Sequence, residues 1–119
     1  MSSGRFIDLA PLTRLLHLTG PVDGRALVTA FLEDLLTTQT GFSAAWNGPD
    51  FAALRAHAHV LTALAGTVGD TELQSLAQQL NLAAHAQTLG ELMEMKPHIM
   101  AGLTDLIAVL LRQQSRLED

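Results

Sequence analysis

The chain has no cysteine and no tyrosine among its 119 residues, with a single tryptophan and four phenylalanines. Without cysteine there is no disulfide and no thiol chemistry, which fits a reducing compartment. Aromatics at 4 %, together with few β-branched residues, argue against a sheet protein, whose strands are built from those types. Seven Lys and Arg stand against twelve Asp and Glu, for a net charge of −5. No basic surface is left for nucleic acid or for anionic lipid, so neither is an expected partner. Long apolar runs are missing too. The longest, Ile99–Leu111, carries Asp105 and is too short to span a bilayer. Met1-Ser-Ser-Gly-Arg5 lacks the apolar stretch of a signal peptide. The expectation is a soluble, cytoplasmic protein.

What remains is rich in leucine and alanine, with hydrophobic residues at 48 %, the composition of a helical bundle. The length fits one domain over residues 1–119, with 1–5 expected to be flexible. Ile7–Leu18 reads as a short helix, with Asp8 as N-cap, Pro11 in the first turn and Thr19-Gly20-Pro21 as its stop. A longer helix follows from about Asp23 to Trp46, burying Val28, Phe31, Leu35, Phe42 and Ala45 or Trp46. Gly41 weakens its middle by about 1 kcal/mol relative to alanine. Asn47-Gly48-Pro49-Asp50 stops that helix and caps the next. Toward the C-terminus Leu89, Leu92, Ile99, Leu103, Leu106 and Leu110 keep one register, with Lys96 between Leu92 and Ile99. Pro97 there marks a kink or a fresh start. Short connections predict an all-α, antiparallel up-and-down four-helix bundle with an additional short N-terminal helix.

The chain is organised around Phe51–His85, two helices joined at Gly66–Gly69. At ~100° per residue, Leu54, Ala58, Leu61, Ala65 and Val68 fall within about 40° of one direction, a core-facing stripe. His57 then lies about 60° from its centre and His59 about 140°, on opposite flanks. His57 belongs to the packing boundary and His59 to solvent. The helical neighbours of His59 are Ala56, Thr62, Ala63 and Gly66, with Arg55 as the nearby cation. No long side chain crowds the imidazole, which is nucleophilic while neutral. After the turn, Asp70 starts a helix that buries Leu73, Leu76, Ala77, Leu80 and Ala84, with Gln74, Gln78, Asn81 and His85 along one flank.

Other chemistries lack their residues. On a helix a metal needs ligands at i,i+3 or i,i+4, and neither His57 nor His59 has one; His17 and His98 are isolated. No metal site is expected. Ser43, Ser75 and Ser115 sit in helical runs without a nucleophile elbow. Gly66-Thr-Val-Gly69 lacks the lysine and the preceding strand of a phosphate-binding loop, so no ATP site is expected.

Ala58-His59-Val60-Leu61-Thr62-Ala63-Leu64-Ala65-Gly66-Thr67-Val68-Gly69, followed by Leu73, Leu76 and Leu80, resembles the histidine-containing phosphotransfer (HPt) domain family. That family shows Ala-His-x-Leu-Lys-Gly, a glycine ten positions after the histidine, and leucines at this later spacing. The upstream Phe31-Leu-Glu-Asp-Leu-Leu36 also looks like the family's approach to its histidine. The resemblance covers nearly the whole chain. It implies a phosphorelay intermediate, not an enzyme with its own kinase or ATP site, that takes a phosphoryl group on His59 from a receiver-domain aspartyl phosphate and passes it to another receiver. The implied partners are response-regulator receiver domains and a hybrid sensor histidine kinase. The implied state is a monomer without cofactor, because the receiver would bring the Mg²⁺ and carboxylate.

Carried over by position, Asn81 falls where family members have a Gln or Glu near the imidazole, and Gly66 where small size gives a partner's backbone access. Two departures stand out: the family lysine is Thr62 here, and the following glycine is Ala63. A charge-assisted hydrogen bond contributes about 1.5–3 kcal/mol against about 0.5–1.5 for a neutral one. Arg55 could supply the missing charge. The alternative is a degenerate HPt-like module that binds receivers without phosphotransfer. Val60, Leu64 and Leu82 lie off the core directions and are candidate apolar docking contacts, or pack on the N-terminal helix.

Overall fold

The computed structural model describes residues 7–118; the expected flexibility of residues 1–5 lies outside them. The fold is all-α. Its helices are α1 (Ala10–Ala45), α2 (Phe51–Val68), α3 (Thr71–His85) and α4 (Leu89–Glu118). Packing is cyclic: α1 lies on α2 and α4, and α3 on the same two. The stripe of α2 closes the interior from one side, with Leu54, Ala58, Leu61, Ala65 and Val68 all buried. From α1 come Val28, Leu32, Leu35, Phe42, Ala45 and Trp46, and from α4 Leu92, Ile99, Leu103, Leu106 and Leu110. Phe31 and Leu76 are only partly covered.

Four readings of the sequence are corrected or narrowed. The short N-terminal helix is not a separate element; residues 10–19 are the leading part of α1, which bends at Gly20 (φ 81, ψ 173). Pro21 enforces the bend, because the residue before a proline avoids the helical region. Asp8 is not the N-cap, which is Leu9, although its carboxylate accepts the N–H of Ala10 at 3.0 Å. Leu89 shares the register of the α4 core positions but is exposed, because it opens α4 at the end of the bundle where no helix covers it. Pro97 starts no new helix; α4 continues through it.

The α2–α3 reversal fixes the geometry that matters below. Gly69 ends α2 in the left-handed region at φ 99, and Asp70 caps α3 by accepting the N–H of Leu73. A Cβ on Gly69 would collide with the backbone carbonyl of Asp8 and crowd Pro11. The leading segment of the chain therefore lies directly on this turn, and Leu12 and Asp70 are buried there. Glycine is demanded twice, by torsion and by contact.

Gly69→Ala should cost at least about 2 kcal/mol, since the torsion alone costs roughly 1–2 and the clash is with backbone that cannot rotate away. Gly90, a helical residue of α4 with open space around it, should tolerate alanine with a neutral or slightly stabilising effect. Denaturation followed by the fluorescence of Trp46, the single tryptophan, compares the two. Equal stabilities would overturn this account of the turn.

Candidate functional site

Helix α2 begins where Asp50 accepts the N–H of Ala53 at 3.0 Å, and its two histidines have separate fates. His57 is half-buried. Its ring packs against Phe42 with centroids 5.6 Å apart and planes tilted by 58°. The same ring occupies the space where a Cβ of residue 41 would stand, so Gly41 is the seat of His57. The glycine that weakens α1 thus lets α1 and α2 approach around an imidazole. His59 is exposed, with Ala56 and Ala63 exposed beside it.

Opposite this flank runs α3. The side-chain amide of Gln74 lies on Gly66, where a Cβ would collide with it. Residues 66 and 74 stand symmetrically about the turn, which also shows that α3 runs back along α2. Seven residues is two helical turns to within about 20°. The same register therefore places Asn81 across from His59, and one turn further His85 across from Arg55. Asn81 is half-buried, while Arg55 and His85 are exposed.

Two site expectations change. Gly66 does not offer bare backbone to a partner, because Gln74 covers it. Thr62 is half-buried and its hydroxyl donates to the carbonyl of Ala58 at 2.8 Å. A hydroxyl has one hydrogen, so this one is committed within the helix. Of the apolar candidates, Val60 and Leu82 are exposed, at 43 % and 68 %, while Leu64 packs partly into the core. Among the described residues no cluster of His, Cys, Asp or Glu could hold a metal ion, and no helix is long and apolar enough to cross a membrane.

The arrangement of helices matches the crystal structure of histidine-containing phosphotransfer protein B (HptB) from Pseudomonas aeruginosa PAO1. The TM-score is 0.82 over 96 % of this chain and 98 % of that one, at 18 % sequence identity. The chain has the fold of a histidine-containing phosphotransfer protein. At this identity the likeness concerns the fold; no protein-family model and no curated protein sequence matches the chain. Within the HPt fold of this chain, sequence reasoning overlooked Gln74 as the cover of Gly66 and His85 as the residue facing Arg55. The signal was present: each pair is symmetric about Gly69–Asp70 in the sequence.

The seat of His57 predicts a change of sign. Gly41→Ala should destabilise the wild-type protein despite the helix-propensity gain, because the ring must move. In a His57→Ala background the same change should stabilise by up to about 1 kcal/mol. A double-mutant cycle on unfolding free energy measures this coupling, and simple additivity would refute the assignment of His57 to packing.

Proposed function

We propose that this protein is a phosphorelay carrier with His59 as its phosphoryl acceptor, acting as a monomer in the cytoplasm between receiver domains. The carrying observation is an exposed imidazole on bare helix surface in an HPt fold. The short connections turn consecutive helices back on one another, giving the up-and-down antiparallel order that leaves this flank of α2 open.

The chemistry asks little of the carrier. Nε2 of neutral His59 attacks the phosphorus of a receiver's aspartyl phosphate. The new N–P bond forms as the P–O bond to the carboxyl oxygen breaks, and the carboxylate leaves with the electron pair. The proton on Nδ1 stays on the ring, and Asn81 is the polar residue that the helix register sets at the level of His59 on α3. Transfer to the next receiver is the reverse step. Electrostatic stabilisation of the moving group comes from the receiver, its Mg²⁺ included. Val60 and Leu82 flank His59 as apolar contacts for docking, and a hybrid sensor kinase is the upstream source.

A second reading has its own observation. Thr62 replaces the family lysine and spends its hydroxyl on Ala58, and Gln74 covers Gly66. A module so altered could bind receivers without accepting phosphate.

His59→Gln should abolish phosphoryl uptake from phosphorylated receiver domains and leave helicity and thermal stability nearly unchanged, as expected for an exposed residue. Acid-labile label mapped to His57 instead would sink the assignment. Receiver binding without any label would favour the second reading.

Thr62→Lys should slow hydrolysis of the phosphohistidine or speed transfer, at little cost in stability. The lysine ammonium adds a charge-assisted partner where threonine has no free hydrogen. Label decay rates in the two proteins decide it, and equal rates would remove electrostatics at this position from the account.

A further inference from the structure

The register of α2 and α3 carries more than the position of Asn81. Side chains of an α-helix lean toward the N-terminus of their own helix. On antiparallel neighbours the leans are opposed. The imidazole of His59 therefore leans from its own level toward that of Arg55, one turn or about 6 Å away. Across the groove His85 starts from the level of Arg55 and leans toward that of Asn81. The two imidazoles converge on the same stretch of groove. Asn81 leans the other way, toward Gln78, and is half-buried between the helices.

Both residues at the Arg55 level are exposed, and Arg55, which leans toward the start of α2, reaches back to the groove through its long side chain. His85 also stands in the last turn of α3, where the free carbonyls of the helix end favour a donor or a cation. Thr62, in the lysine's place, has no hydrogen to offer. The basic side chains nearest in register to an anion on this flank, Arg55 and His85, are then on the N-terminal side of His59, the side opposite to the missing lysine.

We propose that Arg55 and His85 form a two-sided donor wall for the phosphoryl group on His59, one side chain from each helix. This rests on the reading of His59 as the acceptor. The guanidinium presents its planar fork to two phosphoryl oxygens, and one ring N–H of His85 donates to the third. The wall stabilises the dianionic phosphohistidine more than the less charged group in flight, so it lengthens the life of the loaded carrier. It thereby takes over from inside the groove what the family's lysine supplies from the next turn. Arg55 and His85 act on the phosphoryl group directly, through hydrogen bonds to its oxygens.

The test uses phosphoramidate, which phosphorylates imidazole with release of ammonia and needs no receiver. Wild-type protein, Arg55→Ala, His85→Ala, the double variant and Arg55→Lys are labelled. Phosphohistidine decay is then followed by ³¹P NMR, with Gln78→Ala as a control on the same flank of α3. The wall requires that each single alanine variant shorten the half-life several-fold and that Arg55→Lys retain part of the effect. In the double variant the second loss should be smaller than the first, because both groups serve one phosphate. Gln78→Ala and the thermal midpoints of all variants should match wild type. Half-lives unchanged in both single variants overturn the wall, as does failure of phosphoramidate to label His59. If the half-lives respond but no receiver exchanges phosphate with His59, the wall stands and the relay reading falls.

Discussion

The reversal at Gly69–Asp70 is the constraint on which the rest depends. A left-handed glycine, a buried capping carboxylate and the overlying carbonyl of Asp8 fix where α2 ends and α3 begins. Once that point is set, helical geometry alone decides which residues face each other along the two helices. The pairing of Gly66 with Gln74 is its visible result, and the facing of His59 with Asn81 follows from the same register.

Two histidines separated by a single residue illustrate how one helix divides its labour. His57 is closed in by Gly41 and Phe42, so it contributes shape to the α1–α2 contact. His59, about 160° further round, is exposed, with the exposed Ala56 and Ala63 beside it. Phe42 also stacks on Trp46 with centroids 6.1 Å apart, so the His57 ring joins the main aromatic cluster of the core. A substitution at 57 should thus speak through stability, whereas one at 59 should leave stability nearly unchanged.

Most of the fold was legible because it follows from periodicity. The stripe of α2, the caps Asp50 and Asp70 and the exposure of His59 all come from spacing and local torsion. Gly20-Pro21 was read as a stop, and the backbone does leave helical geometry there. Whether the preceding segment counts as an element of its own depended on tertiary contact with the turn, which periodicity does not carry. Leu89 matched the register of α4 but sits beyond the reach of its neighbours, since a heptad position is buried only where another helix covers it. Of the candidate site, the exposure of His59 was legible and the cover on Gly66 was not. The family motif pointed to His59 and Asn81 and the helix face to Arg55, whereas the cover on Gly66 and the internal bond of Thr62 needed coordinates. Both involve flexible polar side chains choosing among several partners, a choice that no periodicity encodes.

The clasp of the leading segment over Gly69 can be regarded as the fulcrum of a lever. His85 lies fifteen residues beyond Asp70, so the arm is about 22 Å long. Tilting α3 by about 10° around that fulcrum would carry His85 some 4 Å sideways, enough to open or close the groove beside His59. The width of the site is therefore governed from the opposite end of the helix pair. Stiffness there, supplied by a few residues near the start of the chain, sets the tolerance to which the exposed histidine and its neighbours across the groove are aligned.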